Sequence, residues 1–115
     1  MAIDYRLKRE KDFNLVFRKG KRAFSRDLTM VYFPSKEIKV GFAVSKKHGG
    51  SVKRNKIKRL LRESFRSFMP YFGKNFFFVF IPKVENEYTL TKFKQDMAYI
   101  FKKGGLIEDA KIFKR

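Results

Sequence analysis

The chain has no cysteine and no tryptophan, a single histidine, three prolines and only 11 acidic residues among its 115. Without cysteine there is neither a disulfide framework nor a thiolate zinc site. One histidine leaves metal- or base-driven catalysis to scattered carboxylates, and these lie beside basic residues, so the chain is poorly equipped for chemistry of its own. His48 has no second metal ligand near it and reads as an exposed loop residue. No apolar stretch approaches the ~20 residues of a membrane span. The N-terminus, Met1-Ala2-Ile3-Asp4-Tyr5-Arg6, shows no basic segment followed by an apolar stretch of about 7–15 residues, so it does not read as a secretory signal. The cytoplasm is the expected compartment. Pro34, Pro70 and Pro82 are well separated and each marks the end of an element, with no repeat, low-complexity run or linker between them. One domain over residues 1–115 is expected, with a body at about 5–103 and a short C-terminal extension at 104–115.

Against those deficits stand 29 Lys and Arg, a formal charge of +18 and 43% hydrophobic residues, 15 of them Phe. The hydrophobic fraction suffices for a core. The charge repels itself and destabilises the folded chain unless a polyanion offsets it. Nucleic acid is the commonest such partner, since each phosphate neutralised by Lys or Arg releases condensed counterions. An anionic membrane surface is the plainer rival.

Periodicity gives a first helix at 10–19, with Phe13, Val16 and Phe17 on one stripe, Gly20 as its stop and Leu7 folding back on its start. Strands follow at 22–25, 28–33 and 39–45. The third alternates Val40, Phe42 and Val44 with the small Gly41, Ala43 and Ser45, so that one face packs on side chains and the other stays shallow. A second helix at 52–68 carries Ile57, Leu60, Leu61, Ser64, Phe65 and Phe68 at helical spacing. The run from Asn75 to Ile81 reads as a strand buried on both faces, and a third helix at 90–103 ends at Gly104-Gly105. The order is αβββαβα, an α+β chain with helices packed against one sheet.

The densest information lies between Ser45 and Glu63. At ~100° per residue with Ile57 at zero, Leu60, Leu61, Ser64 and Phe68 fall within about 60°, while Lys58, Arg62, Asn55, Arg66 and Arg59 occupy roughly 100–200° with Arg54 at the near edge. A basic stripe thus lies beside a core stripe. A solvated face usually mixes signs, whereas Glu63 is the one acid in this stretch, which favours phosphate binding. Asn55 can donate and accept at once and so reach a sugar hydroxyl or base edge. Phe13, Phe17 and either Tyr32 or Phe33 offer rings on which an unpaired base could stack, although phenylalanines at i, i+4 also serve as plain core. Gly49-Gly50 precedes a helix N-terminus, but no Walker pattern accompanies it and it reads as a turn.

The segment Arg54-Asn55-Lys56-Ile57-Lys58-Arg59-Leu60-Leu61-Arg62-Glu63, preceded by Val44-Ser45-Lys46-Lys47, closely resembles the signature of the bacterial ribonuclease P protein subunit. Asp12-Phe13-Asn14-Leu15-Val16-Phe17 with Gly20 agrees as well, and so does the element order; Gly50, Ser51 and Lys56 depart from the residues common there. The resemblance implies an α/β sandwich with a left-handed βαβ crossover from third to fourth strand. It implies that Arg54, Asn55, Lys56, Lys58, Arg59 and Arg62 bind the catalytic RNA, and Arg66 continues their stripe. It also implies that Phe13 and Phe17 line a cleft for the 5′ leader of precursor tRNA, with Ser45, Lys46 and Lys47 at its edge. No protein residue would be catalytic, and Mg²⁺ would be held mainly by the RNA partner. A ribosomal or other structural RNA-binding protein is the alternative. A helix-turn-helix DNA binder is disfavoured because strands flank the basic helix on both sides.

Overall fold

The computed structural model describes residues 5–107, which follow the expected order of elements. Helix α1 spans Glu10–Lys19, followed by strands β1 (Lys21–Phe24), β2 (Leu28–Pro34) and β3 (Lys39–Phe42). Helix α2 (Ser51–Arg66), strand β4 (Phe76–Pro82) and helix α3 (Leu90–Lys103) complete the chain. α1 begins with Glu10 and Asp12 and closes with Arg18 and Lys19, so charges at both ends complement the helix dipole. α3 is capped by Thr89, whose hydroxyl accepts the Lys92 N–H.

The sheet order is β1-β2-β4-β3, antiparallel except for the parallel pair β3 and β4. Parallel neighbours cannot be joined by a tight turn, and α2 supplies the crossover between them. Because side chains alternate along a strand, the sheet has two apolar faces. Phe76, Phe78 and Phe80 of β4 point to the face covered by α2 and α3, while Phe77, Val79 and Ile81 point to the face carrying α1. The reading of β4 as buried on both sides therefore holds. Phe65 of α2 sits at the centre of the larger core, with the rings of Phe78, Phe80 and Phe101 at 5.2, 5.7 and 6.4 Å. Each fully buried ring contributes roughly 1.5–3 kcal/mol, which offsets part of the repulsion among the surface cations.

Several boundaries shift for identifiable reasons. β3 stops at Phe42 rather than at 45, although Ala43 N–H still reaches the Phe80 carbonyl at 2.9 Å. Ser45 instead begins a 3-10 turn at Lys46–His48: its Oγ accepts the Lys47 N–H at 3.3 Å and its N–H donates to His48 Nδ1 at 3.1 Å. Such local bonds compete with the sheet ladder. His48 is consequently not an exposed loop residue but 6% exposed, and since Nδ1 accepts, Nε2 carries the proton and donates to the Pro82 carbonyl at 2.8 Å. α2 ends at Arg66, short of 68, where Ser67 Oγ donates to the Ser64 carbonyl at 2.7 Å and Pro70 follows. Leu7 does more than fold back on α1. Its N–H donates to the Val40 carbonyl at 2.9 Å, extending the sheet beyond β3, while its side chain joins the α1 cluster. Ile107 is buried, so packing continues past 103; positions 108–115 of the expected extension lie outside the described residues.

Candidate nucleic-acid interface

The shallow face foreseen on the third strand is occupied by α1. Phe13 lies directly on Gly41, where a Cβ would stand 2.4 Å from Cζ and 2.5 Å from Cε1 of the ring. Strand register aligns Arg22, Val31, Val79 and Gly41 in one row across this face, with Phe24, Thr29 and Ile81 in the next. Val31 and Val79 are fully buried together with Val16 of α1, whereas Thr29 and Ile81 are half-buried and Phe24 is exposed. α1 thus leaves a strip of sheet open beside itself. Phe13 and Phe17 are both half-buried at the margin of the cluster, with Ala43, Ile81, Phe33 and Phe77. Register also separates the two candidates on the second strand. Phe33 belongs to the α1 face, while Tyr32 turns to the other and meets the Phe76 ring edge-on at 5.5 Å.

The basic stripe abuts this cleft. Lys58 and Arg62 line a cavity of about 370 Å³ with Arg6, Phe13, Gly41 and Phe42, and the Arg62 guanidinium lies 5.9 Å from the centre of the Phe42 ring. Among the described residues no carboxylate pairs with Arg54, Lys58, Arg59, Arg62 or Arg66. The Nε atoms of Arg54 and Arg62 are shielded and without a hydrogen-bond partner. Cations held against apolar surface with no acid opposite are suited to phosphate oxygens. Asn55, Arg59 and Arg66 are exposed along the same helix.

Lys56 is exposed at the outer margin of the stripe, about 60° beyond Arg59, where it also lines a cavity of about 580 Å³ with Val52, Ile57, Leu60 and Tyr88. Ser45, Lys46 and Lys47 are exposed on the 3-10 turn that follows Ala43, so they stand at the end of the open strip. Gly49-Gly50 is a turn, as read from the sequence: Gly49 has φ of +130°, a conformation that favours glycine, and Gly50 leads into α2. Arg6 and His48 were missed. Nothing local marked either: Arg6 reaches the cleft by bridging to Val40, and the His48 partner Pro82 is 34 positions away. Among the described residues no three His, Asp or Glu side chains gather as a metal site, and no helix is long and apolar enough to cross a membrane.

Comparison with known proteins agrees with this arrangement. Residues 1–105 match the family model of ribonuclease P. The ribonuclease P protein component of Finegoldia magna is 39% identical over 88 residues, spanning 76% of this chain and 78% of that protein. Its counterpart from Clostridium beijerinckii is 36% identical over 121 residues, spanning 94% of each. The structure of the Staphylococcus aureus RNase P protein superposes with a TM-score of 0.80 at 25% identity, covering 92% of this chain and 100% of that one. These relatives support the ribonuclease P reading and not the ribosomal alternative. Sequence, fold and relatives agree over nearly the whole length, and the chain belongs to the bacterial ribonuclease P protein family, the protein subunits of the RNA-based endonuclease that matures the 5′ ends of tRNAs.

Proposed function

We propose that this subunit divides its surface between two RNAs. The α2 stripe of Arg54, Asn55, Lys58, Arg59, Arg62 and Arg66 grips the RNA subunit, and the cleft beside α1 holds the unpaired 5′ leader of precursor tRNA. Phe13 and Phe17 offer rings to leader bases, and Ser45, Lys46 and Lys47 meet the strand at the cleft's edge. Lys56, exposed beside Arg59 at the stripe's outer margin, extends the same grip. The observation that carries this reading is the cavity shared by Lys58, Arg62, Phe13 and Gly41, which makes the basic stripe and the aromatic cleft one continuous surface.

Precursor and mature tRNA differ by the leader, so binding energy spent in the cleft favours substrate over product. The phosphodiester cleavage is assigned to the RNA partner, with Mg²⁺ held mainly there. We place the assembly in the cytoplasm, where precursor tRNA is made. The test is to titrate precursor and mature tRNA onto the RNA subunit with and without this chain. The chain should tighten precursor binding well beyond mature binding; equal gains for both would leave a general RNA adhesive and refute the leader cleft.

A further inference from the structure

Tyr99 on α3, 53% accessible, and the end of β1 at Phe24 border one cavity of about 360 Å³ between the β1–β2 turn and α3. Ser25, Arg26 and Asp96 complete its lining. Asp96 is only 8% exposed, and its Oδ2 has no hydrogen-bond partner among the described residues. Its neighbours do not make up the deficit. Lys92 is engaged with Asp27, Nζ to Oδ2 at 2.8 Å. The Ser25 hydroxyl reaches the Asp96 carboxyl, but it has a single proton and also lies 3.2 Å from the Leu28 carbonyl. A shielded carboxylate oxygen lacking a donor is a destabilised group that a ligand's N–H can satisfy.

The chemistry narrows the ligand. An exposed ring at a cavity mouth suits a flat π-system, and stacking on it tolerates any base. An ionised carboxylate only accepts, so it selects a ring edge that presents adjacent donors. Guanine offers N1–H and the N2 amino group side by side. Adenine and cytosine each set one amino group beside an acceptor, and uracil places one N–H between two carbonyls. Exposed Arg26 can take the attached phosphate, and Lys103 Nζ stands 5.6 Å from the centre of the Tyr99 ring.

We propose that the cavity between the β1–β2 turn and α3 binds one unpaired guanine of an RNA strand, its N1–H and N2–H groups donating to Asp96 and its ring meeting the exposed ring of Tyr99. The site stands on its own cavity and does not depend on the leader cleft. The strand can belong to the tRNA leader or to the RNA subunit, since both present the same chemistry. Burial first, then the nearby Asp27 carboxylate, pushes the Asp96 pKa up, against the opposing pull of Ser25, Lys92 and Arg26. Protonation removes one acceptor, so the preference for guanine fades on acidification sooner than an ordinary carboxylate would allow.

The experiment titrates the full chain with labelled single-stranded hexanucleotides of five adenosines and one guanosine, of five adenosines and one inosine, and of adenosine alone. Guanosine should bind roughly 5- to 150-fold tighter than adenosine alone, the discrimination expected of a bidentate base contact. Inosine, lacking the amino group, should fall between them. Asp96→Asn should abolish the preference, and Tyr99→Ala, an exposed change, should weaken all three without moving the melt. No guanosine preference in the unaltered chain, or one that survives Asp96→Asn, overturns the proposal. If Asp96→Asn does not fold, the other two measurements decide: unchanged affinity in Tyr99→Ala together with a pH-independent preference overturns it. Precursor tRNAs with one or no leader guanine, and the RNA subunit alone, then identify the strand by which of them loses affinity in Tyr99→Ala. No loss with either RNA overturns a role for the site in the assembly.

Discussion

Replacing Gly41 by Ala sets one methyl group against the Phe13 ring and so tests how the cleft is built. The new Cβ would stand 2.4 Å from Cζ and 2.5 Å from Cε1 of Phe13, and 3.4 Å from Leu7 Cβ. Carbon atoms pack at about 3.5–4.0 Å, so the ring must retreat by roughly 1.1–1.6 Å. Overpacking of this kind costs about 1–3 kcal/mol. Phe13 is only half-buried and can swing outward, which places the expected cost at roughly 1–2 kcal/mol and the fall in melting temperature at about 4–12 °C. The displaced ring no longer lies on the sheet, so affinity of the assembled enzyme for precursor tRNA should drop while mature tRNA binds as before. Scanning calorimetry and paired tRNA titrations read both effects. Combining Gly41→Ala with Phe13→Ala removes the clash, and the double variant should then be more stable than the sum of the single effects requires. Strict additivity, or a melt and precursor affinity untouched by Gly41→Ala, would refute the packing of Phe13 on Gly41 as the basis of the cleft.

Arg59→Ala with Arg62→Ala removes two unpaired cations and should flatten the salt dependence of RNA-subunit binding by about 1.4–1.8 in log K against log salt. An unchanged slope would remove these arginines from the interface. His48→Phe keeps a ring but deprives the Ser45 N–H and the Pro82 carbonyl of their partners, and should cost roughly 1–3 kcal/mol per group left unpaired. Precursor affinity should fall with it, because the turn bearing Lys46 and Lys47 loses its tie to the end of β4; an unaltered melt would show that water replaces both bonds.

The elements that were legible in the sequence are those whose periodicity is set by burial. Ile57, Leu61 and Phe65 on α2, and Phe93, Met97 and Ile100 on α3, repeat at helical spacing because each packs against the same sheet face. β4 was readable as doubly buried because its apolar run is continuous. What escaped depends on pairing at a distance. Ser45 and His48 close a local cap in place of further strand, and His48 is buried only because β4 brings Pro82 to its Nε2. The choice between Tyr32 and Phe33 is one of register, which a lone strand does not carry. Lys56 stands at a margin that the motif does not mark: it lies about 60° beyond Arg59 on the helix and also borders the cavity at Tyr88.

The central claim is that the cleft beside α1 reads the leader, and the most direct measurement is a pair of titrations of the assembled enzyme carrying Phe17→Ala, with precursor and with mature tRNA. Losing one stacked base costs ~1–3 kcal/mol, so precursor affinity should fall roughly 5- to 150-fold while mature affinity holds and the melt stays close to that of the unaltered chain. Equal losses for the two tRNAs, accompanied by a melt lowered through the ~3–5 kcal/mol typical of a truncated core Phe, would show Phe17 to be core and contradict the account.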